Sequence, residues 1–398
     1  MSTAPTPSAS ASASTPAPTP ASTPASTPAS SGQRLVAVAG VLDTTEGGRG
    51  FLRTAGYAEG PHDVLVPPEV IRRHGLRRGD AVEGVATAGR SRALVRAEHV
   101  GGLPADLARG RRRFAELTPL HPRERLRLES PKGGLATRVV DLLAPVGKGQ
   151  RGLIVAPPKA GKTMLLRNLA DAFADNHPEC HLMVVLLDER PEEVTEMKRA
   201  VRGEVVASTF DRTPKQHIAV AELAVERAKR LVETGRDVVV LLDSLTRLCR
   251  AHNNAASSGG RTLSGGVDAA ALLGPKRVFG SARLAEEGGS LTILATALVD
   301  TGSRADDYFF EELKSTGNME LRLDRALADR RVFPAVDVAP SGTRREELLL
   351  GPAELAASRG LRRALRGAGS FETLLERMRA TPDNAAFLRQ IRGTVPAA

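Results

Sequence analysis

GLIVA (152–156) runs straight into PPKAGKT (157–163), which gives way to the helical stretch MLLRNLADAFA (164–174). Few folds accept this order. A continuously apolar strand, a tight glycine-containing turn and a helix N-terminus together aim several backbone N–H groups at one point, which is what a phosphate chain needs. The strand before and the helix after turn a short GKT string into a P-loop in its required context. Lys162 is then expected to reach the β- and γ-phosphates of ATP, and the Thr163 hydroxyl to hold Mg²⁺. One departure is plain: the first position of the usual pattern is Ala156 rather than Gly.

Further strands are expected at HLMVVLLDE (181–189), VVAST (205–209), DVVVLLD (237–243) and LTILATALVD (291–300), alternating with helical stretches. Runs this apolar suit strands covered on both faces, hence a mostly parallel sheet wrapped by helices, an α/β architecture. A carboxylate that closes an apolar strand is costly to bury unless it faces a cation or donors. Asp243 therefore suits the second Mg²⁺-associated position. Hydrolysis also needs a group that orients the attacking water, and Glu189, at the end of a neighbouring strand, is the candidate.

Before residue 136 the character differs. Residues 2–32 are almost entirely Ser, Thr, Ala and Pro without one charged side chain, so residues 1–33 are expected to form a disordered tail. From 34 to about 103, short β-like runs (LVAVAGVL, DVLV, DAVEGV, RALVRAE) are separated by Gly- and Pro-containing turns, the pattern of a small β-barrel. A short helix is expected from Pro68 to Gly75. Residues 104–135 read as a linker carrying Arg109, Arg111, Arg112 and Arg113, and residues 136–398 as the α/β domain.

Lys+Arg outnumber Asp+Glu 56 to 46, a net charge of +10, which points to an anionic partner. With only Cys180 and Cys249, and no apolar leader segment, a secreted disulfide scaffold is excluded and the cytoplasm is expected. The longest apolar runs, 180–187 and 291–299, fall well short of the roughly 20 residues that cross a bilayer, so no membrane partner is expected. His177 and His181 have metal-ligand spacing, but Pro178 between them argues against a shared metal face.

The strings DERPEEVTEM, LLDSLTR, LSGGVD, EEGGSLTILATALVDTGS, TGNMEL and RVFPAVD follow the P-loop in that order. Over residues 35–390 the chain resembles the Rho family of bacterial transcription termination factors. That resemblance implies a RecA-like ATPase domain behind an OB/cold-shock-like RNA-binding barrel, working as a homohexameric ring. Its partners would be single-stranded nascent RNA, the RNA polymerase elongation complex and elongation-factor regulators. ATP contacts would come from Gly147, Lys148, Gly149, Gln150, Arg151 and Gly152, from Lys159, Ala160, Gly161, Lys162, Thr163 and Met164, and from Arg190. Phe333 would stack on adenine, and Arg344 would be an arginine finger entering the site of the adjacent subunit.

The resemblance also places two loops at a central channel, carrying Arg261, Ser264, Gly265 and Gly266 in one and Arg304 in the other, where the family commonly has Lys at both basic positions. In the barrel, Phe51 keeps one base-stacking ring, whereas Arg49, Leu65 and Ser91 stand where the family has aromatics. Only Phe51 and Tyr57 are aromatic before Phe114. Arg49, Arg53, Asp63, Arg90 and Arg92 remain as polar RNA contacts, and a weaker or differently selective RNA site is expected. Two alternatives stay open at this point: another RecA-type motor, such as a rotary ATP synthase subunit or DNA recombinase, and an RNA-binding protein with an inactive motor.

Overall fold

The computed structural model describes residues 34–45, 47–130, 134–256, 262–366 and 370–391. The expected tail and Arg261 lie outside the described residues. The N-terminal sheet is antiparallel, with spatial order Val64–Val66, Gly50–Arg53, Leu35–Thr44, Ala81–Thr87, Leu94–Val100 and Leu103–Pro104. It curls into a half-barrel whose two sides meet at one bridge, Leu65 to Ala93, with the Leu65 N–H donating to the Arg92 carbonyl. Alternate residues fill it: Leu42, Leu52, Val64, Val66, Val82, Leu94 and Val100 are all buried. The helix Pro68–His74 starts on its proline and stops at Gly75, whose left-handed φ of 59° lets its N–H cap the Ile71 carbonyl.

The second sheet runs Glu204–Thr209, His181–Glu189, Asp237–Asp243, Ser290–Leu298, Arg151–Ala156, Met319–Leu323 and Val336–Thr343. Each neighbouring pair among the first six strands is parallel, and the last strand joins antiparallel. Separate apolar clusters cover its two faces, one centred on Ile154, Val184 and Leu241, the other on Val155, Val185 and Val240. Successive residues of one strand thus serve opposite faces, which is why these runs contain no polar alternation. The strand expected to reach Asp300 ends at Leu298, and Asp300 turns away with φ 55°. The strands Met319–Leu323 and Val336–Thr343 were not among those expected. The first alternates polar and apolar residues, and the second carries Pro340 and Gly342 on a sheet edge.

The connecting segment is stitched into the α/β body. Phe114 and Leu117 join its core, Pro119–Leu120 pairs with Arg283–Ala285, and Arg125–Leu126 pairs with Val146–Gly147. Half-barrel and α/β body also touch directly. A Cβ on Gly79, which has φ 88°, would lie 2.4 Å from the Glu226 carbonyl carbon on the helix Pro214–Val232. Only glycine permits this approach. Gly79→Ala is expected to destabilise the chain by about 1–3 kcal/mol, read as a lower urea midpoint; an unchanged midpoint would contradict this docking. No described helix is long and apolar enough to cross a membrane.

Candidate functional site

The carboxyl ends of the parallel strands converge on the P-loop, the usual ligand position of an open α/β sheet. Gly161 takes a φ of 91°, and the helix Lys162–Asn176 begins immediately after it. Lys162 Nζ lies 2.5 Å from both Asp243 oxygens and 3.3 Å from Glu189 Oε1. Both carboxylates are deeply buried, Asp243 2% and Glu189 6% exposed. The Thr296 hydroxyl, one strand over, donates to Asp243 Oδ1 at 2.7 Å. The apolar strand ends in Asp243 because this cation and this hydroxyl receive it.

Glu189 reaches the same centre through a bulge. In the pairing with the neighbouring strand, Leu187 faces Ser208 and Glu189 faces Thr209, so Asp188 is the extra residue, held at φ 55°. Burial, with Asp243 adding to it, pushes the Glu189 carboxyl above the usual carboxylate value, against the pull of Lys162 and Arg247. A carboxylate of raised proton affinity beside a P-loop lysine can hold a water's proton. Arg247 pairs with Asp188 at 2.5 Å and with Glu189 at 3.4 Å.

Beside the P-loop, an apolar cavity of about 570 Å³ is lined by Ala160, Gly161, Met164, Leu165, Phe333 and Pro334. Phe333 is 43% exposed, and its ring edge lies 3.4 Å from where a Gly161 Cβ would sit. An open aromatic face next to a phosphate turn suits a purine. Thr163 and Lys159 are exposed at the same turn. Arg190 points outward and pairs with Glu193.

The stretch Gly147–Gly152 is not brought to this P-loop. It lies at the opposite end of the P-loop strand, where Gly152 pairs with Leu294 and Met319, roughly 20 Å of strand away. Lys148 is engaged by Asp237 and Glu124, the Gln150 amide by Asn318, and Arg151 by the Ala282 carbonyl. Arg344 shares that edge: its N–H donates to the Asn318 carbonyl, and its side chain is exposed. Burial, then the charges of Arg283 and Arg344, push the Arg151 guanidinium below its usual value. Like charges crowd here, at an edge from which they cannot reach the phosphates of their own chain.

On the half-barrel, Arg49, Phe51 and Arg53 follow one another at the alternate spacing of a single sheet face. Leu65 stands opposite Phe51, while Arg90 lies exposed in the neighbouring turn. Arg53 is not free: it pairs with Asp43 at 2.7 Å and Asp63 at 2.5 Å, 5.7 Å from the Phe51 ring. Tyr57 is buried, and its hydroxyl donates to Glu204 on the α/β body at 2.5 Å, so it anchors the half-barrel and offers no ring to a base.

The two glycine loops meet. The turn Ser264–Gly266 joins Thr262–Leu263 to Val267–Asp268, and Gly265 would place a Cβ 3.2 Å from the Arg304–Ala305 backbone. Thr301 Oγ1 donates to Asp306, which also accepts two bonds from Arg250. Asn253 receives the Asp268 N–H and donates to the Gly266 carbonyl. The helix Leu245–Ala255 thus touches Glu189 through Arg247, the first loop through Asn253 and, through Arg250, the Asp306 that anchors Thr301 of the second. Sequence reasoning missed these three residues, although their i, i+3, i+6 spacing in RLCRAHN marks one helix face.

A P-loop with two buried carboxylates on neighbouring strands, joined to an antiparallel half-barrel that sets a half-buried Phe51 between two arginines, fits an RNA-binding ATPase. Residues 136–343 match the ATP synthase alpha/beta family nucleotide-binding domain, and residues 38–106 match the Rho termination factor RNA-binding domain. The transcription termination factor Rho of Streptomyces coelicolor is 71% identical over 90% of this chain and 86% of its own length. That of Streptomyces lividans is 58% identical over 91% of this chain, which spans about half (52%) of that longer relative. A type III secretion system ATPase of pathogenic bacteria shares the fold, with a TM-score of 0.56, 24% identity, and coverage of 65% of this chain and 73% of that one. The chain belongs to the Rho family of transcription termination factors.

Proposed function

We propose that this protein is a cytoplasmic, ATP-driven RNA translocase that assembles as a homohexameric ring and strips nascent RNA from the RNA polymerase elongation complex, subject to elongation-factor regulators. Its working parts are the half-barrel (34–103), the connecting segment (104–135) and the motor (136–398). Phe51, Arg49, Arg53, Asp63 and Arg90 form the face that captures single-stranded RNA, and Ser264, Gly265, Gly266 and Arg304, with Arg261, grip it in the channel.

Lys162 binds the β- and γ-phosphates, Phe333 stacks on adenine, Met164 borders the same slot and Glu189 orients water. The donor set suits Mg²⁺, a hard cation that keeps several waters and takes one or two protein oxygens: the Thr163 hydroxyl stands open at the turn, and the Asp243 carboxylate lies against the adjacent Lys162. Bound there, Mg²⁺ would neutralise phosphate charge. Lys162 bonds both Asp243 oxygens, which holds the phosphate-binding cation beside the carboxylate proposed for Mg²⁺. Arg344 and the Gly147–Gly152 edge serve the nucleotide of a neighbouring copy.

One observation carries this reading: a single helix, Leu245–Ala255, contacts Glu189 through Arg247, the first RNA loop through Asn253 and the Asp306 anchor of the second through Arg250. Coupling sites through such a two-ended element is commonly worth about 5–150-fold. Arg250→Ala is expected to reduce the ratio of RNA-stimulated to unstimulated ATP turnover by about tenfold or more; an unchanged ratio would remove the helix from the coupling. The function itself is tested on a stalled elongation complex. Transcript release is expected with ATP and not with a non-hydrolysable analogue, and equal release with both would overturn the proposal.

A further inference from the structure

A line of alternating charge joins the RNA face to the motor. Arg53, beside the Phe51 ring, donates from Nε and Nη2 to Asp43 Oδ2, at 3.2 and 2.7 Å. The other oxygen of Asp43, Oδ1, accepts from Arg78 Nε at 3.0 Å. Arg78 Nη1 in turn donates to Glu222 Oε2 at 3.0 Å, on the motor helix Pro214–Val232. Asp43 and Arg53 are buried, and Arg78 and Glu222 are each about 30% exposed, so solvent screens the line only at its motor end. The helix it enters packs through Val220, Leu223 and Ala224 into the same core as Leu245, Leu248 and Cys249 of the helix that touches Glu189.

We propose that Asp43, Arg78 and Glu222 are positioning residues that tell the motor whether the half-barrel holds RNA; this rests on the reading of the Phe51 face as an RNA site. The sign follows from the alternation. Arg53 shares one positive charge among Asp43, Asp63 and any incoming ligand. A phosphate or base acceptor that engages Arg53 weakens its hold on Asp43. Asp43 then leans on Arg78, and Arg78 releases Glu222. RNA therefore loosens the half-barrel's grip on the motor helix. By reciprocity, weakening the last link strengthens RNA binding at the first. Neighbouring bonds in such a chain polarise one another because the interior screens them poorly.

Opposite signs at adjacent residues separate this relay from a merely structural role. With the full chain, no nucleotide, and a fluorescein-labelled RNA decamer of mixed sequence as probe, Glu222→Gln is expected to tighten binding about threefold, the scale of coupling between residues in one ion network. Arg78→Gln is expected to weaken it by a similar factor, since Asp43 then turns wholly to Arg53. In an Arg53→Ala background the Glu222→Gln gain should vanish, which separates the half-barrel from the channel loops. The relay is overturned if both variants weaken binding, if neither changes it, or if the gain survives in Arg53→Ala. Failure of the unsubstituted chain to bind the decamer would instead sink the RNA-face reading.

Discussion

A chain carrying Lys162→Ala is expected to hydrolyse ATP at least about 10²–10³-fold more slowly while its half-barrel still binds single-stranded RNA. The lysine is the cation closest to both Asp243 and Glu189, at 2.5 and 3.3 Å. Its removal leaves no ammonium for the γ-phosphate as charge builds there. It also leaves two buried carboxylates beside each other, so part of the loss will be structural. That damage stays local, because the half-barrel has its own core of Leu42, Leu52, Val64 and Leu94. Phosphate release and RNA binding, measured on the same preparation, check both halves. Joint loss of hydrolysis and RNA binding would contradict a two-site protein.

Arg344→Ala is expected to cost about 10³–10⁵-fold in turnover when every subunit carries it, the range for an arginine finger. The sheet sets the reason. Thr343 pairs with Met319, and Met319 pairs with Gly152 at the start of the P-loop strand, so Arg344 lies at the far end from Lys162. Within one chain it cannot approach the phosphates. At that edge it joins Arg151 and Arg283 in a cationic cluster, which an anion from a neighbouring copy would relieve. If each Arg344 serves another subunit's site, as proposed, rings mixed from normal and Arg344→Ala chains should lose activity faster than their composition. Activity that falls linearly with the substituted fraction would count against action across interfaces.

The strand-turn-helix order around Lys162 and the carboxylate closing DVVVLLD were legible because each violates what an ordinary apolar strand needs. A strand leading into a glycine turn, or ending in a charge, demands a partner, and the partner is the site. Gly147–Gly152 is placed at the nucleotide by resemblance alone; that it lies across a six-residue strand from its own P-loop is visible only in the assembled sheet. What already occupies Arg53 and Tyr57 was not legible, because composition counts charges and rings without showing their partners. Asp43 and Glu204, residues 10 and 147 positions away, take them up. The bulge at Asp188 and the Arg247, Arg250, Asn253 face depend on which strand and which loops lie alongside, and only the assembled fold supplies that. The ATP synthase-type sheet alone would have left the open alternatives standing; the RNA-binding domain and the 71% identical relative decide between them.

ATP turnover measured with single-stranded RNA, with DNA of the same sequence and with no polymer is the most direct test that hydrolysis here serves RNA movement. The account predicts a large acceleration by RNA, little by DNA and a low rate without either. Equal rates in all three, or DNA outperforming RNA, would contradict it.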